Sequence, residues 1–254
     1  MSVRIVTLES VGSTNDEVVA RAEAGERLPL AVRAIEQHAG RGRLGRDWAS
    51  PKGGVWMSLA DRWTGVIPGA VALRAALAVH ACVEAELNAA EVDRLRIKWP
   101  NDLLLDGKKI AGVLCERRVL SDESGDGSTC LLVIGVGINA DFDADRLPRG
   151  VRTPATTLRS ALGRSVCVET LAARLTERLE VVLAAGPAPL DDREIRGVVD
   201  RLAYWGERVR VAHLDGTALE GVLAELAPDG RVAIRAESGI AWVSAGDVER
   251  AARA

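Results

Sequence analysis

The spacing of apolar and turn-forming residues changes near residue 203. Before that point, short alternating segments typical of half-buried strands are interspersed with longer segments of helical period. After it, short apolar segments are separated by turn signals at Asp215-Gly216, Asp229-Gly230 and Ser238-Gly239, which lie 14 and 9 residues apart, close to the spacing of about 8 to 12 residues expected of short paired strands. Such spacing is typical of a small barrel. We therefore expect an α+β domain at 1–202 and a C-terminal β-barrel at 203–254.

The predicted elements follow from the local period. Strands are expected at 4–9, 31–37, 55–60, 95–99, 103–105, 110–116, 131–138, 208–211, 218–226, 232–235 and 241–243. Helices are expected at 14–24, 69–87, 156–162, 169–185 and 191–202. Residues 38–54 are rich in Gly and Arg and have no period, which predicts a long loop, and 121–128 predicts a polar turn.

Composition narrows the class of protein. Hydrophobic residues make up 48% and charged residues 27% of the chain, which is typical of a globular domain. The net charge of −3 gives no indication of nucleic-acid binding. No apolar run is long enough to span a membrane. The N-terminus has no signal-peptide pattern. Cysteines and histidines are scattered, so we expect free thiols, a cytoplasmic protein and no zinc site.

The first candidate site lies in the segment G-R-G-R-L-G-R-D-W at 40–48. Glycine spacing lets backbone amides and the guanidinium groups of Arg41, Arg43 and Arg46 converge on one anion. A solvated basic loop or an RNA-binding tract is the alternative, although aromatic residues make up only 3% of the chain. Only Leu44 and Trp48 offer apolar surface to offset the ordering cost, so we expect the loop to be mobile when empty and to fold over its ligand.

The second candidate site is K-W-P-N-D at 98–102, followed by Lys108 and Lys109. Pro100 fixes the backbone, and the Asp106-Gly107 turn is expected to bring Lys109 back toward Asn101 and Asp102. Only four lysines occur in the chain, and three of them lie between 98 and 109. A capped turn with ordinary surface lysines is the alternative reading of this segment.

Taken together, the motifs resemble the biotin protein ligases. The sequence has S-T-N at 13–15, the loop motif at 40–54, K-W-P-N-D-L with a lysine before I-A-G, and G-V-G-I-N at 135–139, in the family's order. The resemblance runs from about residue 10 to 139 and resumes more faintly in the barrel. It implies a class II synthetase-like mixed sheet with helices and an SH3-like C-terminal domain. Because strand one begins at Arg4, we expect the short form, without a DNA-binding domain.

The resemblance also implies roles for individual residues. The biotin-binding residues would be Ser13, Thr14, Asn15, Gln37, Gly40, Arg41, Gly42, Arg43 and Lys109. The ATP-binding residues would be Arg41, Arg43, Arg46, Trp48, Lys98, Asn101 and Asn139. Arg43 and Lys109 would stabilise the charge that develops when the biotin carboxylate attacks the α-phosphate, and Asp102 is our candidate for orienting the acceptor amine. No protein ligand for a metal is assigned, so Mg²⁺ would arrive with ATP.

The implied partners are biotin, ATP and the biotin carboxyl carrier domain of an acyl-CoA or pyruvate carboxylase. We expect no DNA and no membrane partner, and a monomer or weak homodimer. His38 departs from the family pattern, which more often has a small hydroxyl residue there. The rival interpretations are a lipoate–protein ligase, a non-catalytic nucleotide- or RNA-binding module, and a structural protein.

Overall fold

A computed structural model describes residues 3–64, 69–119, 129–150, 152–213 and 216–251. The strands are β1 (Arg4–Val11), β2 (Leu30–Gln37), β3 (Val55–Thr64), β4 (Leu95–Lys98), β5 (Asp102–Leu105), β6 (Lys108–Arg118), β7 (Thr129–Ile138), β8 (Arg208–Ala212), β9 (Ala218–Leu226), β10 (Val232–Ala236), β11 (Gly239–Val243) and β12 (Asp247–Arg250). The helices are α1 (Thr14–Glu23), α2 (Gly69–Glu84), α3 (Leu158–Leu162), α4 (Val168–Ala184) and α5 (Asp192–Val199).

A seven-stranded sheet forms the larger part of the fold. Its strand order is β1-β2-β3-β7-β6-β5-β4, and β1 pairs with β2 in parallel while the other neighbours are antiparallel. The predicted mixed sheet is confirmed. Strands β3, β7 and β6 occupy its middle, so each of them is hydrogen-bonded to a neighbouring strand on both edges.

The alternation along β7 explains how the sheet separates a packed face from a face with a cavity. Ile134 and Val136 belong to the main core, into which α2 and α4 also pack. Leu131 and Val133 point the other way and pack with Val18 of α1. On that second face the next two positions are Gly135 and Gly137, whose missing side chains leave the backbone bare. The bare stretch is where the cavity described below begins.

The C-terminal strands form a five-stranded antiparallel sheet in the order β11-β10-β9-β8-β12. The predicted barrel is therefore corrected to a small sheet that is not closed, because β11 and β12 lie at opposite edges and do not pair with each other in the described part of the chain. The sheet is consistent with a small SH3-like domain. Trp99 joins the two sheets, since its indole Nε1 donates to the Gly230 carbonyl at 2.9 Å.

Several element ends differ from the predictions. The helix beginning at Gly69 ends at Glu84, not at 87, and β12 was not predicted. Helix α5 begins with a reciprocal capping box between Asp191 and Glu194, which stabilises its first turn. The polar turn predicted at 121–128 and the residue Asp215 lie outside the described residues. No helix in the described ranges is long and apolar enough to cross a membrane.

Candidate active site

A cavity of about 570 Å³ lies between the bare face of the large sheet, the 38–54 loop and the edge of the C-terminal sheet. It brings together most of the residues that the sequence predicted. Those lining it are Thr14, Asn15, Gln37, Arg41, Gly42, Arg43, Arg46, Trp48, Lys98, Asn101, Asp102, Lys109 and Asn139. The residue motifs separated along the chain therefore meet around one space.

Two predicted residues lie beside the cavity and do not line it. Ser13 is buried at the N-cap of α1, where its side chain makes no capping hydrogen bond. Gly40 is buried where the 38–54 loop crosses itself, and a Cβ there would lie 2.6 Å from the Trp48 carbonyl oxygen. Gly40 therefore allows two loop segments to approach closely, which is a role that only glycine can fill.

The floor of the cavity is built from paired glycines. Gly112 of β6 and Gly137 of β7 are cross-strand partners. The Trp48 indole lies directly on them, and a Cβ on Gly137 would come within 2.6 Å of its Nε1. This indole N–H is buried without a hydrogen-bond partner among the described residues. The sequence G-V-G at 135–137 indicates this flat surface, because its two glycines lie on the same face of β7.

Hydroxyl and amide groups form one wall of the cavity. Gln37 Oε1 accepts hydrogen bonds from the backbone N–H of Thr14 at 2.7 Å and from its hydroxyl at 3.0 Å. Gln37 Nε2 donates to the Ser50 hydroxyl at 2.8 Å. The hydroxyl of the fully buried Ser58 lies 2.7 Å from the Thr14 hydroxyl and 2.5 Å from Asn15 Oδ1. This wall is rigid because nearly every polar atom in it already has a partner.

The 38–54 loop is held by three arginines that reach different elements, one of which is Arg46, whose Nη1 lies 3.4 Å from Asp247 Oδ2 of β12. Arg41 forms a bidentate ion pair with Asp16 of α1, and its Nη2 lies 2.5 Å from Oδ1. Arg43 donates to the Asn101 side-chain oxygen at 3.0 Å. The loop was predicted to have no regular structure, but it contains a short 3₁₀ turn at Arg43–Gly45 and a bridge between Arg41 and Asp47. Its mobility without ligand stays a prediction.

The cation of Lys109 faces a carboxylate and an aromatic ring. Its Nζ lies 2.8 Å from Asp102 Oδ1 and 4.8 Å from the centroid of the Trp48 ring. The hairpin between β5 and β6 brings these residues together, as the Asp106-Gly107 turn predicted. Both groups line the cavity, so Lys109 presents a positive charge at its centre.

Lys98 is the most buried cation of the site, with 3% of its surface exposed. Its Nζ lies 2.8 Å from Asp247 Oδ1 and donates to the Thr153 hydroxyl at 2.9 Å. Asp247 also lies 3.4 Å from Arg46 and 3.6 Å from Arg152. One carboxylate of the C-terminal sheet thus contacts cations from three segments around the cavity.

The electrostatic environment shifts the pKa of several site groups. Burial lowers the pKa of the Arg43 guanidinium, against the opposing effect of the Asp102 and Asp247 charges. Burial also acts to raise the pKa of Asp247, but the hydrogen bond and charge of Lys98, together with the charges of Arg152 and Arg46, outweigh it, so the pKa is lowered. The hydrogen bond from Arg41 lowers the pKa of Asp16. The carboxylates of Asp247 and Asp16 are therefore held in their charged form.

Asn139 closes the cavity from the end of β7. Its side-chain Nδ2 donates to the Thr156 carbonyl at 3.1 Å. Its Oδ1 is buried and has no hydrogen-bond partner among the described residues. Such an acceptor carries an energetic cost unless a ligand satisfies it.

Sequence reasoning missed several cavity-lining or supporting residues. These are Ser58, Glu116, Leu147, Pro148, Arg152, Thr153 and Asp247. Nothing in the local sequence indicated Ser58, Glu116 or Asp247, since their partners lie far away along the chain. Within the described ranges, no group of three or more His, Cys, Asp or Glu residues could hold a metal ion.

Comparison with known proteins identifies the family. Residues 11–139 match the family model described as Biotin/lipoate A/B protein ligase family. The chain is 37% identical over 136 residues to the bifunctional ligase/repressor BirA of Bacillus spizizenii, and this match spans 53% of the chain and only 40% of that protein. It is 33% identical over 248 residues to the biotin--[acetyl-CoA-carboxylase] ligase of Paracoccus denitrificans, covering 95% of this chain and 98% of that one.

A solved structure has the same fold as this chain over nearly its full length. The biotin protein ligase from Aquifex aeolicus in complex with biotin and ATP superposes with a TM-score of 0.76 at 25% sequence identity, and 97% of each chain is covered. The predicted fold class and family are confirmed. This chain belongs to the biotin/lipoate A/B protein ligase family.

Proposed function

We propose that this protein is a biotin protein ligase that activates biotin with MgATP and transfers the biotinyl group to a lysine of a carrier protein. One observation carries the proposal: a single cavity is lined both by hydrogen-bonded hydroxyl and amide groups and by the cations Arg43 and Lys109. A ureido ring needs donors and an acceptor, and a carboxylate reacting with a phosphate needs positive charge. The full-length similarity to a biotin--[acetyl-CoA-carboxylase] ligase supports the same reading.

The first half-reaction joins biotin to AMP. A carboxylate oxygen of biotin attacks the α-phosphorus of MgATP, a P–O bond forms, and the bond to pyrophosphate breaks. Both reactants are anionic, so the reaction depends on charge neutralisation and alignment. We assign Arg43 and Lys109 to supplying that charge; in support, both line the cavity, and Lys109 contacts Asp102 and Trp48.

The second half-reaction transfers the biotinyl group. The uncharged amine of the acceptor lysine attacks the carbonyl carbon of biotinyl-AMP, the C–N bond forms, AMP leaves with the electrons of the C–O bond, and the nitrogen releases one proton to water to give the amide. We assign Asp102 to orienting this amine, because its carboxylate is partly exposed in the cavity beside Lys109. If the acceptor lysine arrived protonated, its ammonium would compete with that of Lys109 for the Asp102 carboxylate.

The remaining residues are assigned to binding. Thr14, Asn15 and Gln37, with Ser13 behind them, belong to the biotin end, and Gly40, Arg41 and Gly42 form the loop that covers it. Arg46, Trp48, Lys98, Asn101 and Asn139 are assigned to ATP. Lys98 already bonds to Asp247 and Thr153. We therefore assign it to positioning the residues around the ATP phosphates and not to contacting the phosphates directly. Mg²⁺ is treated as part of the ATP substrate.

The wider assignments are also proposals. The acceptor is the biotin carboxyl carrier domain of an acyl-CoA or pyruvate carboxylase, and the protein acts as a monomer or weak homodimer without DNA. Residues 1–202 and 203–254 are assigned as a catalytic and an SH3-like domain. The free thiols of Cys82 and Cys130, both buried, favour a reducing compartment and thus the cytoplasm.

The test is biotin-dependent exchange of labelled pyrophosphate into ATP by the purified protein, with lipoate in a parallel reaction. We expect exchange with biotin alone. Exchange with lipoate alone would move the protein to the lipoate-transferring branch of the family. Absence of exchange with either acid would contradict the adenylating activity and favour a non-catalytic binding protein.

A further inference from the structure

The Asn15 side chain lies across the middle three strands of the large sheet. Ser58 of β3 and Gly135 of β7 are cross-strand partners, and Gly135 is also the partner of Leu114 on β6. Glu116 lies two positions further along β6 and therefore on the same face. A Cβ on Gly135 would come within 2.2 Å of Asn15 Oδ1, so this glycine makes the space that the amide occupies.

Each end of the Asn15 amide has its own partner. Its Nδ2 donates to Glu116 Oε2 at 2.6 Å, and its Oδ1 accepts from the Ser58 hydroxyl at 2.5 Å. A carboxylate can only accept hydrogen bonds, so the NH₂ group must face Glu116. The reversed amide would place its oxygen against the carboxylate, with no hydrogen available between the two acceptors.

Glu116 is itself held in place. Its second oxygen, Oε1, lies 2.9 Å from Nη2 of Arg118. The Glu116 side chain is 21% exposed, whereas Asn15 is 5% exposed and lines the cavity. Glu116 is therefore outside the ligand space but in direct contact with a residue that borders it.

We propose that Glu116 is a positioning residue that sets ligand selectivity: it fixes the Asn15 amide so that Asn15 offers an N–H, and not an oxygen, to the bound ligand. The inference rests on the proposed role of Asn15 in binding the ureido ring of biotin. One hydrogen of Nδ2 is used by Glu116, and the second has no partner among the described residues. The remaining hydrogen selects a ligand with an acceptor, such as the ureido oxygen, and disfavours one with a donor there.

Two variants of Glu116 with side chains of similar size distinguish the positioning of the Asn15 amide from a packing effect. Glu116→Gln keeps a carbonyl oxygen that can accept from Asn15, whereas Glu116→Leu removes every acceptor. Dissociation constants for biotin and 2-iminobiotin are measured by calorimetry at neutral pH, where the guanidinium of 2-iminobiotin offers donors only. We expect Glu116→Leu to raise the dissociation constant for biotin about tenfold. The ratio of the dissociation constant for 2-iminobiotin to that for biotin should fall by a similar factor. Glu116→Gln should stay within about threefold of the parent protein.

A double-mutant cycle tests whether Glu116 acts through Asn15. In an Asn15→Ala background, Glu116→Leu should cause no further loss of biotin affinity, because the group it positions is gone. Arg118→Gln is the matched control: it removes the ion pair to Glu116 but leaves the bond to Asn15, so the biotin preference should be kept. Thermal unfolding of each variant confirms that the fold is intact.

The outcomes separate this inference from the proposed function. If the parent protein binds no biotin, the proposed function fails. If the parent binds biotin but Glu116→Leu and Glu116→Gln have equal affinities and equal preferences, the positioning role of Glu116 is wrong. Additive losses in the double-mutant cycle would likewise show that Glu116 does not act through Asn15.

Discussion

The ammonium of Lys109 lies 2.8 Å from the carboxylate of Asp102. The two residues are on adjacent strands of a hairpin but are not cross-strand partners, since Lys109 lies opposite Leu104 and the register shifts between Leu103 and Leu104. The Trp48 ring covers the same ammonium from the loop side. A strand cation, a strand carboxylate and a loop aromatic group therefore meet in the lining of the cavity.

Replacing Lys109 by alanine should strongly slow adenylate formation. A charge-assisted contact in such a site contributes about 1.5–3 kcal/mol, which corresponds to a rate loss of about ten- to hundredfold or more. Pyrophosphate exchange measures this step directly. Lys108→Ala is the matched control, because Lys108 is the exposed neighbour on the same strand and should leave the rate unchanged. Near-normal exchange by Lys109→Ala would remove Lys109 from the mechanism.

Replacing Arg43 by alanine should both slow the formation of biotinyl-AMP and shorten its retention. Arg43 bonds Asn101 from the loop, so its removal detaches the loop from the cavity edge. Arg43→Lys keeps the charge but loses the planar fork, and we expect it to recover only part of the retention. Release of labelled biotinyl-AMP after rapid filtration is the measurement. A dissociation rate equal to that of the parent protein would count against loop closure.

Asp247→Asn should lower the free energy of unfolding and raise the KM for ATP. The buried ammonium of Lys98 would lose its charged partner, which typically costs about 1–3 kcal/mol of unfolding free energy. The loosened Arg46 and Arg152 contacts should raise the KM for ATP about tenfold, because these side chains border the cavity. Glu237→Gln, at an exposed turn of the same sheet, is the control and should change neither quantity. An unchanged KM for ATP in Asp247→Asn would limit Asp247 to a structural role.

Gly137→Ala should displace Trp48 from the cavity floor. The added methyl group would lie 2.6 Å from the indole Nε1, which is closer than atoms can pack. We expect the KM for ATP to rise about tenfold or more while the fold is retained, since the displaced group is a side chain at the cavity surface that we assign to ATP. Gly197→Ala in α5 meets no atom within 4 Å and should be neutral or slightly stabilising. Equal KM values for ATP in both variants would contradict the role of the glycine floor in seating Trp48.

Stability should fall as the pH is lowered from about 6.5 toward 4, because of His80. Burial, with a smaller effect of the Arg201 charge, lowers the pKa of this side chain from 6.5 to about 4, although Glu84 opposes the shift. The unfolded chain therefore binds a proton at a higher pH than the folded chain. The contribution is fully present above pH 6.5 and decreases by about 2 kcal/mol by pH 5.

Urea unfolding at pH 8 and pH 5 checks this prediction. The loss on acidification should be smaller in His80→Leu than in the parent protein, because leucine does not titrate. The difference between the two proteins isolates the histidine from the carboxylates that also titrate in this range. Identical pH slopes would show that His80 does not control acid stability.

The motifs at 40–48, 98–102 and 135–139 could be identified from the sequence because their chemistry is local. Glycine between arginines, an X-Pro junction and alternating glycines each restrict the backbone within a few residues. The positions of most strands were also predictable, because short apolar segments are bounded by turn signals, whereas the mixed sheet was expected from the resemblance to the biotin protein ligases. The closed barrel was not borne out, because short apolar segments show that strands pair but not whether the last pair closes.

The tertiary structure alone decided which residues support those motifs. Glu116 meets Asn15 across 101 positions of sequence, and Asp247 reaches Lys98 from the other sheet. Such contacts depend on strand order and register, which arise from the packing of the whole core and leave no local pattern. The sequence therefore determined which chemical groups this protein can bring to a ligand. Only the fold decided how those groups are oriented, because a hydrogen bond needs both of its partners at a fixed distance and angle.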